Sequence, residues 1–291
     1  MTALTSIAAA IAGGLGMYYG ISGAFELIYY RGRRERALEW KCQPRRWLSP
    51  KMRREQLLLG TANMTAASVA SGLFVHYIAT GGTSAIYFDW REHGLVFALG
   101  TTLLYFLLTD AALYWAHRIF HTPFLFRHIH RWHHRYTAPT AFTAAAMHPL
   151  EFAVYQSIML LPLFVLPVHV AGLIFVLVYQ NYVAMVDHSG VDLHSWLPWQ
   201  PPTRFHYDHH VHFHVNYGQN LGLWDRLFGT YRRVGRVYGV DVFGGRGAPA
   251  RGPGEAEPVR YFDYRRKVAA PPASAAGSPA PAAGAPADPA S

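Results

Sequence analysis

Histidine carries the chemistry in this chain. There are 17 in 291 residues, and 15 of them fall between positions 117 and 214. A neutral imidazole offers a nitrogen lone pair and is the commonest side-chain metal ligand. Three blocks stand out by spacing: His117 with His121, His130 with His133 and His134, and His206 with His209 and His210. On a helix, residues at i, i+3 and i+4 share a face, so each block presents its rings to one side. Taken alone, the step from His117 to His121 also describes two partly exposed or capping histidines. Two copies of HxxHH beside it are hard to explain as solvated decoration.

These eight imidazoles exceed the need of one ion, because structural zinc takes four ligands and catalytic zinc usually three. Two ions sharing about eight to ten imidazoles fit better, and imidazole suits iron, zinc, copper and nickel. Carboxylates or carbonyls must then fix each ring's tautomer, and Asp110, Asp187, Asp208 and Glu151 are placed for that role. For Asp110, seven residues before His117 on the same helical face, a bond to Tyr114 is the alternative. Cys42 is the single cysteine, which excludes an internal disulfide framework and a Cys-based zinc or iron–sulfur site within one chain.

The elements that must position these residues are apolar. Hydrophobic residues make up 51% of the chain and charged residues 15%, unusual for a soluble protein of this size. Residues 4–30, 56–80 and 94–116 each read as a helix long enough to cross a hydrocarbon core of about 30 Å. The apolar stretch 149–186, broken by Pro162 and Pro167, reads as two helices meeting in a turn. The expected fold is an all-α integral membrane protein with about four to five transmembrane helices. The net charge of +9 would suit nucleic acid or anionic lipid, so its location decides. With the N-terminus outside, 25 of the 26 basic residues lie on the inner side and only Arg91 outside. That is the positive-inside pattern of a cytoplasmic face, and it puts all three histidine blocks on that face. Nucleic acid is not an expected partner.

The order of motifs is specific. Asp110-x-x-x-Tyr114-Trp115-x-His117-Arg118-x-x-His121, then HxxHH, then HPLE from His148 to Glu151, then HxxHH leading into Asn216-Tyr-Gly and Trp224-Asp-Arg-Leu-Phe-Gly-Thr, resembles the fatty acid hydroxylase and sterol desaturase superfamily of membrane di-iron enzymes. The resemblance runs from about position 110 to 231. It implies a helical bundle ending in a cytosolic cap, with His117, His121, His130, His133, His134, His206, His209 and His210 binding two non-haem iron ions. Asp187-His188-Ser-Gly stands where family members carry another histidine motif, so His188 joins them. His194 is a further candidate ligand, although a straight helix through His188 would not put both on one face. His148, before a proline, is expected to support the site or start a helix rather than bind metal. His128, His212 and His214 are discounted, and His76, His93 and His169 are taken as structural, far from the cluster.

The implied activity is O2-dependent hydroxylation or desaturation of a lipid, an acyl chain or a sterol. Electrons must come from a separate protein, cytochrome b5-like or of the ferredoxin and reductase type. Arg118, Arg127, Arg131 and Arg135 are candidates to dock such an acidic carrier or to meet anionic headgroups. A zinc hydrolase would be expected to carry HExxH, which is missing here. The alternative from another class, a histidine-rich metal-binding or transport protein, should place ionisable ligands deep within several spans. The expected organisation is an N-terminal pair of spans with a basic loop (1–99), a catalytic region (100–245) and a disordered Pro/Ala-rich tail (246–291). The Ala, Arg, Gly and Pro bias points to a bacterial inner membrane.

Overall fold

The computed structural model describes residues 2–195, 197–232, 236–237 and 248–249. The expected tail lies outside the described residues, apart from Ala248–Pro249, which pairs antiparallel with Arg236–Val237. Seven helices carry the architecture: α1 Ala3–Phe25, α2 Pro50–Ala79, α3 Leu95–Phe120, α4 Pro149–Leu160, α5 Val170–Asp187, α6 Thr203–His212 and α7 Leu223–Leu227. A π-helical turn, Glu26–Arg31, prolongs α1. Four segments are long and apolar enough to cross a membrane: Ala3–Arg31, Pro50–Ala79, Leu95–Phe120 and Val170–Asp187. The chain is a multi-pass, all-helical membrane protein. The fifth apolar segment, Pro149–Phe164, is shorter; Pro162 follows its last α-helical turn, and the chain re-enters as α5 after a turn.

Local chemistry sets the helix starts. Ser49 caps α2 by accepting from the Met52 amide, with Pro50 in the first turn, where its missing N–H costs nothing. His148 and His169 play the same part for α4 and α5, each through an Nδ1 that accepts from the amide two residues on. Both are therefore helix caps.

Packing between α1 and α2 is close. A β-carbon on Gly72 would lie 2.5 Å from the Ile7 Cα, so only glycine lets the two backbones approach there. Polar groups buried at the histidine end of this pair hold one segment. Tyr18 donates to the Phe142 carbonyl (2.8 Å), Asn63 to those of Ala145 and Met147 (2.8 and 2.9 Å), and Gln56 bonds Thr140 and Thr143. Residues 137–147 are thereby fixed, with the 3-10 turn Ala141–Ala145 at their centre. Tyr105 donates to the Met159 carbonyl and Gln180 to Thr109, tying α3 to α4 and α5. Each bond satisfies a polar group that an apolar surrounding would otherwise penalise.

Candidate metal centre

Four elements bring histidines to one end of the bundle. His117 lies in the last turns of α3 and His121 caps its C-terminus. A π-helical turn, Phe126–His130, runs into the short helix Arg131–His134 and supplies His130, His133 and His134. His188 caps the C-terminus of α5, and His206, His209 and His210 stand on α6. All nine are buried.

They form two groups, each with its ligand nitrogens within 4.8 Å of one another: His117, His121, His130, His134 and His209, and His133, His188, His206 and His210. The two HxxHH blocks interleave. In the first, His130 and His134 enter one group and His133 the other; in the second, His206 and His210 share a group and His209 crosses over. Residues i and i+4 stay together, and i+3 is turned away to the neighbouring centre.

The donor set fits metal. His117, His188 and His209 donate Nδ1–H to the carbonyls of Tyr217 (2.8 Å), Ala184 (2.7 Å) and Val215 (2.7 Å), which leaves the lone pair on Nε2. The Nε2 of His188 lies 3.0 Å from the Nε2 atoms of both His133 and His206. That of His134 lies 3.0 Å from His209 and 3.2 Å from His121. Nitrogens bound at right angles about 2.1 Å from a shared ion stand about 3.0 Å apart. Lone pairs at that spacing repel unless a cation or proton lies between them. His130 Nε2 and both His210 nitrogens are buried with no partner among the described residues.

Burial favours the neutral form of seven of these rings. It drives His121, His133, His134, His206, His209 and His210 well below the ordinary histidine range, with neighbouring histidines adding to the effect. His188 falls to about 4 for the same first reason, although its bond to Ala184 opposes the shift. A neutral imidazole is the form that binds metal.

The expected supporting carboxylates divide. Glu151 accepts from His130 Nδ1 at 2.5 Å and from Tyr155 at 3.3 Å. The hydrogen bonds of Asp110 go elsewhere than the expected ring or Tyr114: it accepts from the Asn220 backbone amide, the Asn220 side chain and Trp224 Nε1. Asp208 pairs with Arg232 (2.8 Å). Asp187 is buried, and its Oδ1 has no partner among the described residues. His148 is half-buried, with its Nδ1 on the Leu150 amide. His194 is exposed and belongs to neither group, because it lies on the loop after α5 rather than on a helix facing the cluster. His128 is exposed. Phe213 takes φ 63° after α6, a left-handed turn that carries the chain off the helical path before His214.

Sequence reasoning missed the buried clasp that Asp225 forms. Its Oδ1 accepts from the Tyr217 amide (2.8 Å) and Thr230 (2.6 Å), and its Oδ2 from the Gly218 amide (2.7 Å). Burial pushes its carboxyl up to about 6 against these bonds. The clasp aims the Tyr217 carbonyl at His117. Arg118 is not a docking residue: it is buried and donates to the Tyr114 hydroxyl (2.9 Å). Arg127, Arg131 and Arg135 are exposed.

Beneath the rings lies a cavity of about 100 Å³ walled by His117, His130, His133, His188 and His206 on one side and by Leu113, Phe152, Met159 and Met185 on another. Residues 102–230 match the family model for fatty acid hydroxylase. The matched stretch contains every residue of both histidine groups. The chain is also 35% identical over 156 residues to a Delta(7)-sterol 5(6)-desaturase of Candida glabrata, covering 52% of this chain and 42% of that protein. It is 34% identical over 155 residues to the Delta(7)-sterol 5(6)-desaturase of Saccharomyces cerevisiae, with the same coverage. With the lathosterol oxidase of Rattus norvegicus it shares 31% over 164 residues, 52% of each chain. The chain spans about half the length of these relatives, or less. No solved structure matches.

Proposed function

We propose that the chain is a membrane oxidoreductase that holds two iron ions in its two histidine groups and uses O2 to hydroxylate or desaturate a lipid. One observation carries this reading: nine buried imidazoles gather in two adjacent groups at one end of membrane helices, over a cavity with apolar side chains in its wall. When bound, a pair of iron ions supplies the activation of O2 needed to attack an unactivated C–H bond. The protein supplies position. Glu151 and the carbonyls of Ala184, Val215 and Tyr217 hold ring orientation. The buried walls keep water from the reacting carbon.

Hydroxylation consumes C–H, O2, two electrons and two protons and yields C–OH and water; desaturation consumes the same O2, two electrons and two protons, removes two hydrogens from the substrate and yields a C=C bond and two waters. A sterol is the first substrate class to test, because the relatives named above are sterol desaturases and a lathosterol oxidase. Electrons come from a separate carrier, cytochrome b5-like or ferredoxin-type, docked on the exposed Arg127, Arg131 and Arg135. The histidine end faces the cytoplasm, by the 25 to 1 distribution of basic residues, and the composition favours a bacterial inner membrane. The gathering of the ligands at one end argues against a transport path through the spans.

Metal analysis with sterol and fatty-acid product analysis in a host expressing the chain tests the proposal. Two irons per chain, oxygen consumption and a new hydroxyl or double bond are expected. One zinc per chain without oxygen use would overturn it. An outward-facing reporter at Gly82 and an inward-facing one at the C-terminus are expected from the orientation.

A further inference from the structure

A second, larger cavity of about 710 Å³ lies beside the first, between α2, α4 and α5. Along α2 its wall runs from Asn63 to Ala79, about 24 Å at 1.5 Å per residue, most of the thickness of a hydrocarbon core. It is open at bilayer depth, because Ala66, Ala70 and Ser71 of α2 and Ala153 and Ser157 of α4 line it and are exposed. These side chains are too short to close the space between the helices. Its volume falls within the range of sites for small organic ligands.

The two cavities meet along α4. Going round that helix at about 100° per residue, Glu151 and Tyr155 come first, on the side that supports His130. Met159, Phe152 and Gln156 follow, and these three border both cavities. Leu160, Ala153 and Ser157 complete the turn and line the larger cavity alone. One helix therefore presents a metal-supporting face, a shared edge and a bilayer groove in continuous order. Phe152 and Met159 are buried, whereas Gln156 is half-buried. Gln and Met side chains are unbranched with several rotatable bonds, and the partition they form can open without moving the backbone. An amide at the border between the histidine-walled cavity and the apolar groove is suited to the hydroxyl or carbonyl of a passing molecule.

We propose that this groove is the lateral entrance by which the apolar body of the lipid substrate passes from the bilayer to the histidine site, with Phe152, Gln156 and Met159 as its gate. The inference rests on the lipid-oxidising reading of the site. Its occupant is a bilayer lipid, because the groove opens at bilayer depth and continues into the cavity beneath the ligands.

The test uses the full chain in phosphatidylcholine vesicles doped with diazirine-bearing cholesterol or diazirine-bearing stearic acid. Photolysis should label peptides of α2 and α4 at the groove with at least one probe, and the same unlabelled lipid should compete. Ala70→Trp should cut that labelling about tenfold and lower kcat/KM about tenfold while metal content stays unchanged. Ala70→Leu, a smaller intrusion, should fall between, and covers the case in which the tryptophan variant does not fold. Val178→Trp, on an exposed position of α5 outside the groove, should change nothing. Labelling spread evenly over all bilayer-facing helices, unaltered kcat/KM in both Ala70 variants, or cross-linking of a second copy through the groove would each overturn the entrance. Absence of lipid oxidation by the wild-type chain would instead sink the proposed function, and the labelling arm would still decide whether lipid occupies the groove.

Discussion

Replacing Glu151 with glutamine removes a charge and keeps the shape of the side chain. In the structure Glu151 is fully buried, its Oε1 accepts from His130 at 2.5 Å and from Tyr155 at 3.3 Å, and its Oε2 has no partner among the described residues. A carboxylate behind a metal-bound imidazole raises the basicity of that ligand, and its loss typically costs 10–100-fold in metal affinity, about 1.4–2.8 kcal/mol. Without metal the balance reverses. A carboxylate at this depth then has only the His130 ring N–H and a long hydroxyl contact, with one oxygen unmatched among the described residues, a costly position that glutamine relieves. Glu151→Gln is therefore expected to weaken iron binding about 10–100-fold while leaving the metal-free protein as stable or more stable. Anaerobic iron titration against a chelator and thermal unfolding of metal-free protein in detergent measure the two effects separately. An iron affinity within about twofold of wild type would refute the reasoning. So would a metal-free protein destabilised by the change, since Glu151 would then be holding the fold rather than the metal.

Three further outcomes are expected. His133→Ala should remove iron while the protein stays membrane-inserted, whereas His194→Ala should leave iron content at the wild-type level; iron loss from the latter would reinstate the exposed loop as part of the site. Asp225→Asn turns an amide group toward backbone N–H donors and should cost about 1–3 kcal/mol in thermal stability, with iron lost first from the group containing His117; retention of full iron and melting temperature would show that the clasp does not position the Tyr217 carbonyl. Nine histidines outside the spans have pKa values lowered on folding, so the unfolded chain binds more protons once pH drops below about 6.5. Stability of the metal-free protein should therefore be full above that pH and fall as pH goes toward 4, outweighing the opposite slope from Asp225; a flat melting profile over this window would contradict the burial of neutral rings.

Much of the histidine cluster was legible because its candidate ligands are a rare side chain at helical spacing. The spacing told which residues share a face; it did not tell that His133 and His209 turn to a different centre from their block partners. That division depends on how α6 and the segment 126–134 cross, which no local pattern records. Of the groups that orient the rings, Glu151 alone among those predicted has a side-chain signature. The carbonyls of Ala184, Val215 and Tyr217 are invisible in sequence, since every residue carries one. Asp110 and Asp208 looked like ring partners because they precede histidines in sequence, yet they bind Trp224 and Arg232, 114 and 24 residues away. The signal for Asp225 was present in the run Trp224-Asp-Arg-Leu-Phe-Gly-Thr, without a hint of its role. The spans were legible from apolar length, and the breaks at Pro162 and Pro167 from ring geometry.

On the proposed two-iron reading, the interleaving of the two HxxHH blocks couples the metal positions mechanically. Because α6 sends His209 to one group and His206 and His210 to the other, it cannot slide or rotate to suit one ion without displacing ligands of both. The first ion to bind therefore fixes the pose of α6 and of the segment Arg131–His134 for the second, whose ligands arrive with their ordering entropy already spent. Loading is then cooperative, and half-occupied protein is scarce at equilibrium. Iron titration should rise as one sigmoid rather than two steps, which makes the chain an all-or-none vessel for its metal.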